Sequence, residues 1–334
     1  MTIHDVSLPY ENLLARRTAV AAAARSAVLE TFAGQSGLRD AVLRLLESDL
    51  SQESAFRLLP FPIVEALAGE PDKALLVCVV SRLWWAGAES FDDLNDGEFD
   101  SRTTGLTPAA AGLASTVLIT LLPQDLLTRQ RLSAQLRSEL LSELTGTSLQ
   151  AASGQFDDVS AVPENCSWSA VMRGYAGKSG APYARDAAMA ARLAGADPPT
   201  LRTWRAFGSL FGILRQLAND HESLWSGNDA DLANSTPTLV LANALESATP
   251  ADRRTLLELG TQAVADINAR HRLRNRLIDQ AATDDYRSRV GAIHHKLSEL
   301  WQELVPASTD RDLVQWMIDF SAEGTRRSRM EPTR

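Results

Sequence analysis

The chain has 334 residues, 45% of them hydrophobic, and a formal net charge of −9 from 33 basic and 42 acidic residues. That apolar content supports a sizeable buried core and excludes a disordered chain. The negative balance repels phosphate backbones and anionic lipid surfaces, so nucleic acid is not an expected partner and an anionic substrate needs a local cation such as a metal.

Alanine, leucine, glutamate and arginine dominate, and alternating β-branched runs bounded by Asn-Gly or Asp-Gly turns are scarce, which predicts an all-α fold. In chain order the helices are expected over Glu11–Phe32, Gly37–Leu50, Asp72–Asp93, Thr107–Leu121, Pro123–Leu144 and Cys166–Leu193. They continue over Pro198–Leu224, Thr236–Leu245, Pro250–Ala281, Asp285–Val305 and Asp310–Glu323. Prolines 108, 198 and 250 stand where they open helices rather than kink them. The polar stretches Gln155–Asn165 and Ser226–Thr236 read as turns, not as linkers, so one helical domain is expected over residues 1–325 with a basic tail over 326–334.

The two cysteines, Cys78 and Cys166, cannot build a disulfide framework or a thiolate zinc site and read as small buried hydrophobes. The N-terminal segment lacks the apolar core of a signal peptide, and no stretch reads as the roughly 18 uncharged apolar residues of a membrane span. A cytoplasmic location follows as the expectation.

The segment that carries chemistry is Ser81–Asp100, where an apolar helix runs into Asp92, Asp93 and Asp96 at its C-terminal end. Acids there oppose the helix dipole and cost stability unless a cation compensates. Asp92 and Asp96, four apart, share a helical face, and oxygen-rich open sites of this kind suit magnesium holding a diphosphate. A second apolar helix, Gly208–Leu224, also ends in acids and amides, with Asn219, Asp220 and Ser223 at helical spacing. Facing each other, two such helices would frame a cavity with oxygen ligands on both rims and an apolar floor.

In these elements the sequence resembles the trans-isoprenyl diphosphate synthases and their terpene-cyclase relatives over nearly its whole length. Asp92–Asp96, DDLND, resembles the family's first aspartate-rich motif; Gly154–Val159, GQFDDV, its GQ element; and Tyr175–Gly180, YAGKSG, its lysine element. The run from Gly208 through Gln216 to Asp220 resembles the glycine-spaced FQ-x-x-DD helix, and Asp231–Leu239 the stretch after it. The resemblance implies a single-domain helical bundle around a central apolar cavity, a homodimer, Mg2+ as cofactor and a prenyl diphosphate as substrate. It assigns catalysis to Asp92, Asp93, Asp96 and Lys178, metal binding to Asp92, Asp96, Asn219, Asp220 and Ser223, and diphosphate contacts to Lys178, Arg57, Arg102, Arg215 and Gln216. Trp84, Gly87, Ala88 and Phe91 then line the chain pocket, with Gly87 small where short-chain members place a bulky stopper. That implies a fifteen- or twenty-carbon donor, twenty preferred.

Departures from the family pattern bear on the reaction. The element that binds isopentenyl diphosphate in chain-elongating members keeps Arg57 and Pro60, while Phe56 and Leu59 replace basic residues. Thr236 replaces a lysine, and the second aspartate-rich motif has become NDHES. Each lost charge contact to a diphosphate is worth on the order of 1.5–3 kcal/mol, which disfavours a second anionic substrate. The expected reaction is ionisation of the allylic diphosphate followed by cyclisation or transfer to a non-isopentenyl acceptor. Chain elongation and a non-catalytic partner subunit are the alternatives. Glu89, an acid amid apolar neighbours, is expected to pair with an arginine such as Arg82 or to sit in the pocket as a polar group, and His221 to tune the site or face solvent.

Overall fold

The computed structural model describes residues 7–48, 55–228, 230–305 and 309–325, all in helices, helical turns and their connections. Residues 49 and 50 of the second expected helix and the basic tail 326–334 lie outside the described residues. The helices are α1 (Ser7–Thr31), α2 (Ser36–Ser48), α3 (Pro60–Ala68), α4 (Leu75–Asp96), α5 (Ser101–Thr104), α6 (Pro108–Thr116), α7 (Leu122–Arg129) and α8 (Ala134–Val159). They continue as α9 (Trp168–Tyr175), α10 (Ala181–Leu193), α11 (Pro198–Ser226), α12 (Ala230–Ala233), α13 (Leu239–Ser247), α14 (Pro250–Ala263), α15 (Ile267–Ala281), α16 (Asp284–Leu304) and α17 (Thr309–Gly324). The all-α expectation holds, with no strand among the described residues.

Several expected long helices are broken where a cap competes with the apolar pattern. Between α7 and α8, Gln130 turns extended, the Ser133 hydroxyl accepts the Leu136 N–H, and Arg137 donates to the carbonyls of Gln130 and Leu132. Between α14 and α15, Asp266 caps the new helix by accepting the Asn268 N–H at 2.8 Å. Helix α3, with prolines in its first turn, was not expected from the sequence. The Gln155–Asn165 stretch is helical as far as Val159.

The chain divides into two compact units: Met1–Gly146, Arg185–Arg205 and Val305–Val314 form the first, and Thr147–Ala184, Ala206–Leu304 and Gln315–Arg334 the second. In the first, α4 packs against α1, α2, α6 and α7. Val77, Val80 and Leu83 of α4, Val28 of α1, Val42 of α2 and Leu118 after α6 are fully removed from solvent. In the second, α13, α14 and α15 surround a core that includes Leu217, Leu239, Leu277 and Tyr286.

Among the described residues, Pro71–Asp96 and Pro108–Arg129 are long and apolar enough to cross a bilayer by length and composition, as core helices can be. The reason in the first is burial inside the protein: 67% of its most apolar window is covered, because α4 is the central helix of its unit. Cys78 and Cys166 are buried free thiols whose pKa burial pushes up, Cys166 to about 11.

Candidate functional site

Helix α4 ends as its composition requires. Gly97 takes the left-handed conformation at φ 74°, and its N–H together with those of Glu98 and Phe99 converges on the Asp93 carbonyl. Asp92 is half-buried, and Asp93 and Asp96 are exposed beside it. Burial, and then the negative charges of Asp92 and Glu98, push the Asp93 carboxyl above the usual carboxylate range. Crowded carboxylates at the negative end of a helix dipole are stabilised by a cation. Among the described residues no group of three or more His, Cys, Asp or Glu could hold a metal ion. The donor set fits magnesium better than a closed metal: Mg2+ binds through one or two carboxylates and takes its remaining ligands from water and substrate phosphates.

Upstream on α4 the residues expected to line the pocket have unequal surroundings. Trp84 is 5% exposed, lies under the Arg185 guanidinium at 4.7 Å and meets Trp85 edge-on at 5.2 Å. Arg185 in turn donates to Asp186 at 2.8 Å, and Ser81 donates to the other oxygen of that carboxylate. Phe91 is 42% exposed and Ala88 half-buried. Gly87 also serves packing. A Cβ there would stand 2.7 Å from Leu118 Cβ and 2.8 Å from the Ser115 carbonyl, so glycine lets α4 touch the turn after α6.

Glu89 pairs with Arg57, not with Arg82, and Arg57 also stacks on Trp85 at 5.0 Å. Arg82 is buried and donates to the Leu46 carbonyl at 3.0 Å. Arg102 is exposed, and its backbone N–H is capped by Asp100.

The second unit holds the lysine element. Between α9 and α10 the helix widens into a π turn, Ala176–Gly180, a local irregularity often found where helices carry function. Backbone contact fixes the turn: Cβ atoms on Gly154 of α8 and Gly177 of the turn would each lie 2.7 Å from the other's Cα, and one on Gly212 of α11 would collide with the Ser179 carbonyl. Lys178, carried on this turn, donates to Asp158 at 2.8 Å, so the lysine element and the GQ element meet through an ion pair. Ser179 donates to Gln216 Oε1 at 2.6 Å, and Gln216 Nε2 donates to Asp220 Oδ1 at 2.8 Å.

The end of α11 is split by burial. Asn219 is exposed and Ser223 half-buried, on one face, whereas Asp220 and His221 point inward. Tyr175 donates its hydroxyl to Asp220 and accepts the Leu239 N–H at 3.3 Å. Burial, and then the charge of Asp231, raise the Asp220 pKa to about 8 against the pull of its two donors, Tyr175 and Gln216. His221 lies between Trp225 and Tyr286, with Nε2 2.8 Å from the Tyr286 hydroxyl, and burial lowers its pKa to about 4. It does not face solvent. Arg215 donates to Ser321 at 3.2 Å and to Asn219 at 3.5 Å. Sequence reasoning gave no role to Tyr175, Asp158 or Ser179; their partners come from other helices, and only the closeness of Tyr175 and Ser179 to Lys178 hinted at them.

The fold is that of the trans-isoprenyl diphosphate synthases. The polyprenyl synthetase of Streptomyces coelicolor A3(2) superposes with a TM-score of 0.78 at 20% identity, over 93% of this chain and 99% of that one. The geranylgeranyl pyrophosphate synthetase of Pyrococcus horikoshii Ot3 gives 0.76 at 19% identity, over 94% and 99%. A geranylgeranyl pyrophosphate synthase of Corynebacterium glutamicum, complexed with isoprenyl diphosphate and magnesium, gives 0.74 at 17% identity, over 92% and 99%. No protein-family profile and no curated protein sequence matches the chain.

Proposed function

We propose that this protein ionises an allylic prenyl diphosphate of fifteen or twenty carbons, and that the resulting cation is captured by its own double bonds or by an acceptor other than isopentenyl diphosphate. The observation that carries the reading is the end of α4, where Asp92, Asp93 and Asp96 lie close together and neighbouring negative charge raises the Asp93 pKa, in a chain with the fold of enzymes that act on such diphosphates. Asp92 and Asp96 would hold magnesium. When bound, the metal supplies Lewis-acid neutralisation of the diphosphate oxygens as the allylic carbon–oxygen bond breaks. In its own unit Lys178, paired with Asp158, is a fixed positive charge of the kind that binds a diphosphate. Trp84, clamped between Arg185 and Trp85, supplies a rigid aromatic surface at the floor of the chain pocket and keeps water from the cation.

Chain elongation is the second reading, and the names of the similar structures favour it: they are polyprenyl and geranylgeranyl diphosphate synthases. Against it stands Arg57, already ion-paired with Glu89. Purified protein with Mg2+ and geranyl, farnesyl or geranylgeranyl diphosphate, with and without isopentenyl diphosphate, separates the two. A hydrocarbon or terpene alcohol formed without isopentenyl diphosphate is the expected result. A longer prenyl diphosphate formed only in its presence establishes elongation instead.

A further inference from the structure

Glu89 is the one acidic residue in the apolar body of α4 between Leu75 and Ser90, and Arg57 is the one basic residue between Arg44 and Lys73. The fold brings these two isolated charges into an ion pair whose side chains are 36% and 16% exposed, with Trp85 stacked on the guanidinium. The residues flanking Arg57 add no charge: Phe56 and Leu59 are buried, Leu59 completely. Nearby, Arg185 is paired with Asp186, whose carboxyl also feels Arg57. Beside α4 the guanidiniums of Arg57 and Arg185 are thus each matched by a carboxylate.

A guanidinium fork recognises carboxylate and phosphate by the same paired N–H geometry, so the two compete for it. A carboxylate built into the neighbouring helix competes at the high effective concentration of a tethered group, and the stacked Trp85 holds Arg57 where Glu89 reaches it. We propose that Glu89 is a specificity-determining residue: by occupying Arg57 it denies that cation to a second phosphorylated substrate, so the acceptor is uncharged or is the prenyl chain itself. The inference rests on the ionisation reading above and names the acceptor class for that site.

The test is titration calorimetry of isopentenyl diphosphate into the full-length wild type and E89Q, with product analysis on the same preparations. Releasing one charge-assisted contact is expected to tighten binding roughly 10- to 100-fold, and E89Q is expected to incorporate isopentenyl units that the wild type does not. Because an amide oxygen can still accept from Arg57, E89L repeats the titration without that contact, and thermal unfolding confirms that both variants are folded. The gain should vanish when R57Q is added to either variant. A purely structural ion pair would shift the melting temperature and leave binding unchanged. Ionisation of the allylic substrate by wild type and variants, with no tighter binding of isopentenyl diphosphate in either, overturns this inference alone. No ionisation by any of them overturns the reading beneath it as well.

Discussion

The ends of α4 and α11 look alike in sequence, each an apolar helix running into acids and amides, but the protein treats them in opposite ways. At the end of α4 the acids stay half-buried or exposed and repel one another. At the end of α11 the one aspartate turns inward, receives hydrogen bonds from Tyr175 and Gln216, and is raised to a pKa of about 8, so near neutral pH it is largely uncharged. A helix C-terminus tolerates carboxylates if a cation joins them or if burial neutralises them. The first solution suits a metal site, and the second builds a hydrogen-bond network around Asp220.

The largest expected effect tests that difference directly. Asp92→Asn with Asp96→Asn should lower magnesium-dependent turnover by about a thousandfold or more while circular dichroism shows unchanged helicity. Asp220→Asn, isosteric and still able to accept from Tyr175, should cost less than about tenfold. Equal losses in the two variants would mean that the two helix ends act alike.

Next in size are the close approaches that place each region. Gly212→Ala would drive a Cβ into the Ser179 carbonyl beneath the Lys178 turn, and Gly87→Ala would press one against Leu118 and Ser115. Each should cost about 1–3 kcal/mol, more at Gly212, where the Ser179 backbone must give way, than at Gly87, where side-chain atoms share the contact. Urea unfolding measures this. A folded, stable Gly87→Ala protein with merely shortened products would mean that this glycine serves the pocket rather than packing.

What could be read from the sequence follows the range of the interactions. Helical periodicity and the residue types at Asp92, Asp96, Asn219 and Ser223 are local, and they were legible. The breaks at Ser133 and Asp266 were not, since a single cap inside an apolar rhythm looks like one polar surface residue. The pairs Arg57–Glu89, Lys178–Asp158 and Tyr175–Asp220 join residues 32, 20 and 45 positions apart, and no periodicity encodes which helix faces which. Burial separates Asp220 from Asn219, its immediate neighbour, for the same reason: the face that turns inward is chosen by packing.

Asp220 and His221 also give the α11 end a pH signature between about pH 4 and 8, measurable in EDTA. From about pH 4 to 8 the folded chain holds a proton on Asp220 that the unfolded chain releases, so this group's contribution to stability falls as pH rises. From about pH 6.5 down to 4 the unfolded chain takes up a proton that buried His221 refuses, so its contribution falls as pH drops. The two slopes, each about 1.4 kcal/mol per pH unit, oppose each other below pH 6.5. Only that of Asp220 remains above it, for a loss of about 2 kcal/mol between pH 6.5 and 8. His221→Phe, which keeps the stack with Trp225 and Tyr286, should make stability fall with rising pH across the whole interval, and a parallel profile for wild type and variant would remove the assignment.

The smallest effect concerns the turn that ends α4. Gly97 sits at φ 74°, where a Cβ meets no neighbouring atom but the backbone conformation is strained for an L-residue. Gly97→Ala should therefore destabilise by about 1 kcal/mol through backbone strain alone, seen as a small drop in melting temperature. The Asp93 carbonyl should still gather the three N–H groups that follow, so the acids keep their places and magnesium-dependent turnover should change less than about threefold. A large loss of turnover with little loss of stability would mean that the geometry of the turn, and not only the presence of Asp92 and Asp96, sets how the helix end meets its cation.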